Sequence, residues 1–249
     1  MLGTWLSRFS DVHRLAGGGE AIYPEAYYLA ADLPIDADAA RRWLPWPLRP
    51  TQPARATFFT AWFPSTSFGS SYREAGVFVH VVRPASSRPA VFSPWMIVDD
   101  DVALIFGREL LGYPKKLGKI EFEITDQTVE AHASRRGHTL IEMSAKVGRE
   151  LSHPPPIIGQ PHVNMLGSVG LRPPWLVAFT PRETPISVRE VELDLRIQGS
   201  ERDPLHLLRA GTPTSARLHC VSISASAPPI PVVPVSPLFA LHTLPLRCW

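Results

Sequence analysis

Proline constrains this chain more than any other residue. There are 27 among 249 residues, about twice the average share, and they are spread along the whole length. Each one lacks a backbone N–H and fixes φ, so it breaks helices and is confined to strand edges, bulges and turns. Long helices are therefore excluded over most of the chain. Prolines crowd most densely in Ala227-Pro228-Pro229-Ile230-Pro231-Val232-Val233-Pro234-Val235-Ser236-Pro237, a stretch expected to run extended over the surface.

What lies between the prolines reads mostly as strand. Thr57–Phe63 is rich in β-formers, and Val77–Val82 is apolar throughout, as in a strand buried on both faces. Ile120–Ile124 and Val191–Ile197 alternate apolar and polar residues, and Leu140–Val147 and Ala216–Ser224 are further candidates. Two helices are expected. One spans residues 2–15 on Leu2, Trp5, Leu6, Phe9 and Val12 and ends at Gly17-Gly18-Gly19. The other is capped by Asp36 or Asp38, runs through Trp43 and stops at Pro45. Asp99-Asp100-Asp101 reads as a turn before a strand. Many short strands with few helices imply a mainly β, largely antiparallel barrel or sandwich. The organisation expected is an N-terminal arm over 1–26, one domain over 27–225 and a proline-rich tail over 226–249.

Apolar residues make up 45% and the formal net charge is +2. There is no basic block of the kind that marks nucleic-acid binding. Cys220 and Cys248 make neither a metal spacing nor a disulfide framework. No run reaches the ~18 apolar residues of a membrane span, and the N-terminus does not read as a secretory signal. A cytoplasmic protein acting on a small molecule is expected, with no nucleic-acid or membrane partner. The nine histidines form no His-x-His or His-x-x-x-His pair, so neither a metal nor a cofactor is expected. His80, within an apolar strand, reads as a hydrogen-bonded core histidine.

Chemistry concentrates in Gly107-Arg108-Glu109-Leu110-Leu111-Gly112-Tyr113-Pro114-Lys115-Lys116-Leu117-Gly118. Two lysines follow a proline and the apolar run Val102–Phe106. Burial against Phe106, Leu111 and Tyr113 would favour the neutral amine, and a neutral amine attacks a ketone to form a Schiff base. On an extended segment the two lysines point to opposite faces. Desolvation then outranks repulsion between them.

This motif resembles the signature of the acetoacetate decarboxylase family, itself a standard instance of an activated lysine. Tyr72-Arg73-Glu74 is similar to that family's Tyr-x-Glu element. Pro45-Trp46-Pro47-Leu48 is similar to its Pro-x-Pro-Leu, and Asp203-Pro204-Leu205 to its late Asp-Pro-Leu. The resemblance runs from about Tyr27 to Ser224. It implies a β-barrel-like lyase that usually forms homo-oligomers. Lys115 would be the Schiff-base lysine, Lys116 its catalytic neighbour and Glu74 the pocket acid. Tyr72, Tyr113, Arg108 and Phe58 are the candidate substrate contacts. Tyr113 either packs or donates to substrate, and Arg108 either reaches substrate or braces the loop with Glu109.

Two departures matter. Counting back from Pro45, the family's early-strand arginine falls near Ala26, and a second acid falls near Phe58. A pocket without that cation suits a larger or less charged ketone. The resemblance implies decarboxylation of a β-keto acid, with aldol, dehydratase or cyclase chemistry as the alternative within the superfamily. A non-catalytic ligand-binding barrel is the alternative from another class.

Overall fold

The computed structural model describes residues 21–83, 86–167, 173–225 and 229–248. The expected helix over residues 2–15 lies outside them. The described residues form β1 (Ala21–Pro34), α1 (Ala37–Trp43), β2 (Arg49–Pro50), β3 (Arg55–Phe63), β4 (Tyr72–Arg83), β5 (Ser86–Val98), α2 (Asp101–Leu111), β6 (Lys115–Leu117), β7 (Lys119–Ile124), β8 (Thr128–Arg135) and β9 (His138–Glu150). Then follow β10 (His162–Leu166), β11 (Trp175–Phe179), β12 (Arg182–Ile197), β13 (Ser215–Ala225), β14 (Ile230–Pro234), α3 (Pro237–His242) and α4 (Leu244–Cys248).

The strands pair in the order β14-β11-β10-β5-β4-β3-β1-β13-β12-β9-β8-β7, while β2 adds to β4 and β6 to β5. Nearly all pairs are antiparallel; β5 pairs in parallel with β6 and β10. The sheet curls until β7, its last strand, packs against β4 and β3, but among the described residues no hydrogen-bonded ladder joins β7 to them. The fold is therefore mainly β and barrel-like rather than a closed barrel.

Two cores lie on opposite faces of the central strands. One holds Phe58, Val77, Val79, Trp95 and Ile97; the other holds Tyr28, Phe59, Phe63, Phe78 and Met96. Strict alternation along β3 sends Phe58 to the first and Phe59 to the second. Fully burying one such ring contributes about 1.5–3 kcal/mol, so the strand register is strongly fixed.

Asp36 is the cap of α1, its carboxylate accepting from the Ala39 N–H at 2.7 Å. The acidic run differs from its expected role as a turn before a strand. Asp100 instead caps α2, accepting from the Ala103 N–H at 2.7 Å. Ala103 and Gly107 face inward while Ile105 and Leu110 face out, a helical period that a run of five apolar residues conceals. The tail also differs from an unpaired extension. β14 pairs with β11 at the end of the sheet, where edge position tolerates Pro231 and Pro234, and α3 and α4 follow. Among the described residues no helix is long and apolar enough to cross a membrane, and no cluster of three His, Cys, Asp or Glu is placed to hold a metal.

Candidate active site

The lysine pair is divided by strand register. β6 runs beside β5 with Lys115 opposite Met96 and Lys116 opposite Ile97. Met96 belongs to one core and Ile97 to the other, so alternation sends the two amines to opposite faces.

Lys116 faces away from the cavity that holds Lys115. Its Nζ lies 2.5 Å from Asp203 Oδ1. The same carboxylate accepts from Trp95 Nε1 at 2.8 Å and from Arg135 at 3.0 Å. Burial pushes the Asp203 carboxyl up, but the hydrogen bond and charge of Lys116, with Trp95 and Arg135, outweigh it, and the net shift is downward. The expected catalytic position of Lys116 is therefore corrected: it is a buried structural cation that ties β6 to the Asp203 turn.

Lys115 enters a cavity of about 460 Å³ lined by Tyr23, Tyr28, Phe63, Phe68, Tyr72, Glu74, Phe106, Tyr113, Ile158 and Phe179, among others. Lys115 is 5% exposed and Glu74 4%, with Nζ 2.8 Å from Glu74 Oε2. The approach lies outside hydrogen-bond alignment, and Oε2 has no other partner among the described residues. The pair is thus close enough to exchange a proton without being locked together. Tyr72 and Tyr113 flank the amine, their ring centroids 5.2 and 5.8 Å from Nζ.

Each side chain is placed by local geometry. Tyr72 and Glu74 alternate onto the same face of β4. Phe106 and Gly107 come from α2. A Cβ at Gly107 would lie 2.6 Å from Lys115 Cδ and 2.7 Å from Cε, so the absent side chain is what admits the lysine. α2 ends at Gly112, whose φ of +68° is the left-handed conformation that favours glycine. The chain then turns through Tyr113 and Pro114 into β6.

Arg108 does not line this cavity. Its Nη1 donates to the Lys115 carbonyl at 2.9 Å and to the Arg247 carbonyl at 2.7 Å. Of its two expected roles, at substrate or as a brace, its contacts are those of a brace, tying the lysine strand to α4. Phe58 is corrected as a substrate contact, since it is buried in the opposite core and is not among the lining residues. On the cavity-side face, β1 carries Ala26 and Tyr28, while β3 carries Phe59, Ala61 and Phe63. A slip in the counted alignment therefore restores neither an arginine nor a second acid.

The tyrosines remain protonated. Burial first, then the charge of Glu74, pushes Tyr23 up to about 12, and burial holds Tyr28, Tyr72 and Tyr113 well above the usual phenol range. Tyr113 Oη lies 3.1 Å from His162 Nδ1, and His162 Nε2 lies 3.0 Å from the Ile158 carbonyl. A carbonyl only accepts, so Nε2 carries the proton and Nδ1 accepts from Tyr113. Burial lowers His162 to about 4, keeping it neutral.

Several cavity residues were not singled out from the sequence. Glu183 accepts from the Ile157, Ile158 and Gly159 N–H groups, at 3.1, 2.7 and 2.6 Å through Oε2, and so fixes the segment that carries Ile158. Tyr23, Phe63 and Phe68 cluster through ring contacts at 5.3 and 5.8 Å. Alternation on β1 and β3 hints at Tyr28 and Phe63. Phe68 arrives from a connection with no periodic signal, and Phe179 ends β11, a five-residue strand. His80 is buried with Nε2 2.9 Å from Thr57 Oγ1, away from the cavity.

A family model for acetoacetate decarboxylase matches residues 15–224. An acetoacetate decarboxylase of Clostridium botulinum is 33% identical over 94 residues, which is 38% of this chain and only 37% of that relative's length. The acetoacetate decarboxylase structure from Legionella pneumophila superposes with a TM-score of 0.76 at 15% identity, covering 87% of this chain and 88% of that one. An acetoacetate decarboxylase-like enzyme from Sphingomonas wittichii gives 0.70 at 17% identity, over 86% and 93%. The enduracididine biosynthesis enzyme MppR, complexed with pyruvate, gives 0.70 at 20%, over 84% and 88%. At these identities the structures establish the fold, and the match over residues 15–224 establishes the lineage: this chain belongs to the acetoacetate decarboxylase family.

Proposed function

We propose that the chain is a carbon–carbon lyase that works on a keto substrate through an iminium at Lys115. The carrying observation is one buried amine, open to an aromatic cavity and 2.8 Å from one carboxylate.

Glu74 takes a proton from Lys115 across that contact, leaving a nucleophilic amine. The amine adds to the substrate carbonyl, and loss of water gives the iminium. Its positive nitrogen draws the electron pair of the bond between the α and β carbons toward itself. That bond breaks and an enamine forms. Glu74, having given its first proton to the departing water, takes a second from the β-hydroxyl of a hydroxy ketone, or from solvent when carbon dioxide leaves, and delivers it to the α carbon; water then hydrolyses the iminium to release product and amine. Tyr72 and Tyr113 hold the lysine stem between them and exclude water from the nitrogen.

The departing fragment defines the reaction. For a β-keto acid, the reading suggested by the motif, it is carbon dioxide. For a β-hydroxy ketone it is an aldehyde, and the same steps in reverse make the bond. The second reading has its own support. MppR has also been solved with the condensation product of pyruvate and imidazole 4-carboxaldehyde, so this fold accommodates carbon–carbon condensation products.

Borohydride trapping tests the proposal. Incubation with a panel of ketones and keto acids, followed by reduction, is expected to add one substrate mass less oxygen at Lys115. Lys115→Ala is expected to give no adduct. An unmodified wild-type chain across the whole panel would instead mark a passive ligand-binding barrel.

A further inference from the structure

The cavity wall narrows the substrate class. Phe63 stacks on Tyr72 with centroids 4.4 Å apart, Phe68 meets Phe106 edge-on at 5.4 Å, and Tyr113 meets Phe179 edge-on at 5.7 Å. Stacked and edge-on pairs around one space are the geometry in which a further aromatic ring is best received. About 460 Å³ lies within the roughly 300–1,000 Å³ range of pockets that enclose drug-sized ligands. A four-carbon acid would leave most of it empty.

Charge points the same way. Among the described lining residues, Lys115 and Glu74 are the only charged groups, and each is already opposite the other. A carboxylate bound beside the iminium would find no second cation among the described lining residues, and it would lie close to Glu74. Tyr113 donates to His162. The other lining tyrosines, Tyr23, Tyr28 and Tyr72, carry neutral hydroxyls that suit a carbonyl or hydroxyl oxygen.

We infer that the substrate is an uncharged ketone bearing an aryl group and a β-oxygen, and that the reaction is aldol cleavage or its reverse rather than loss of carbon dioxide. This rests on the iminium reading above. For a β-hydroxy ketone, Lys115 displaces the carbonyl oxygen as water. Glu74 takes the β-hydroxyl proton, and the bond between the α and β carbons breaks. Its electron pair enters the iminium, giving an enamine and an aryl aldehyde. Glu74 returns the proton to the α carbon, and water frees the methyl ketone. No electrons are gained or lost overall, so no redox partner is required.

The test compares 4-hydroxy-4-phenylbutan-2-one, 4-hydroxybutan-2-one and acetoacetate on the full chain. Benzaldehyde, formaldehyde and carbon dioxide are the respective products measured, alongside borohydride trapping of each compound. The aryl substrate is expected to exceed the unsubstituted one in kcat/KM by about 10- to 100-fold, the worth of burying one aromatic ring. Phe68→Ala is expected to reduce that ratio by raising KM for the aryl compound. Carbon dioxide release from acetoacetate matching or outrunning benzaldehyde release, with adducts still at Lys115, would overturn the substrate class and leave the iminium intact. Absence of any adduct from all three would overturn both.

Discussion

Gly107→Ala isolates the geometry of the reactive lysine from its chemistry. The new Cβ would stand 2.6 and 2.7 Å from Lys115 Cδ and Cε, against a favourable carbon–carbon separation of about 3.5–4.0 Å. The lysine stem must therefore shift by roughly 1 Å, which carries Nζ away from its 2.8 Å approach to Glu74. A displacement of that size at a reacting atom costs about 100-fold in rate. Stability changes far less. Alanine in a helix interior gains about 1 kcal/mol over glycine, and overpacking costs about 1–3 kcal/mol, so the net loss is about 0–2 kcal/mol. Urea unfolding and the rate of borohydride-dependent adduct formation measure the two effects separately. The expected result is a folded protein that traps about 100-fold more slowly. A folded variant that traps at the wild-type rate would refute the packing of Lys115 against α2.

Glu74→Gln keeps the shape of the acid but removes the proton carrier, and turnover is expected to fall by about 10²–10⁴-fold; steady-state kinetics on any accepted substrate checks it. Lys116→Ala is expected to destabilise the fold by about 3 kcal/mol, the low end for breaking a buried pair, because Arg135 and Trp95 still serve Asp203. Peptide mass mapping of that variant should still find the adduct on Lys115. His162 is about 4 when folded and about 6.5 unfolded, so the unfolded chain binds the extra proton between those values. Stability is then complete above pH 6.5 and falls toward pH 4, losing about 2–3 kcal/mol by pH 4.5; His162→Asn should flatten that part of the denaturation profile. Arg108→Ala removes the donor to both the Lys115 and Arg247 carbonyls. A loss of about 1–3 kcal/mol should accompany faster amide exchange over residues 244–248.

Local rules carried much of this far. Proline density and alternation anticipated a mainly β chain with short helices, and an extended Lys115-Lys116 pair implied side chains on opposite faces. Glu74 was legible through its motif. Phe58 was misplaced because its position was counted without gaps from Pro45; a slip of one residue in a strand exchanges the two faces, and it is Phe59 that belongs to the cavity-side core. Helix α2 was concealed because five apolar residues in a row fit either period. Phe179 and Ile158 reach the cavity only through the pairing of β10 with β11 and the Glu183 contacts, which join residues distant in the chain and leave no local pattern. Arg108 was read as either a brace or a substrate contact, but the carbonyls it bonds, one of them 139 positions away, leave no sign in the sequence.

The central claim is a reversible covalent bond between Lys115 and a carbonyl carbon. Oxygen exchange follows it directly: each cycle of iminium formation and hydrolysis replaces the ketone oxygen with one from solvent. In ¹⁸O-water the wild-type chain is expected to label an aryl methyl ketone far faster than buffer does, and Lys115→Ala is expected to fall back to the buffer rate. Equal labelling by both proteins would contradict the account.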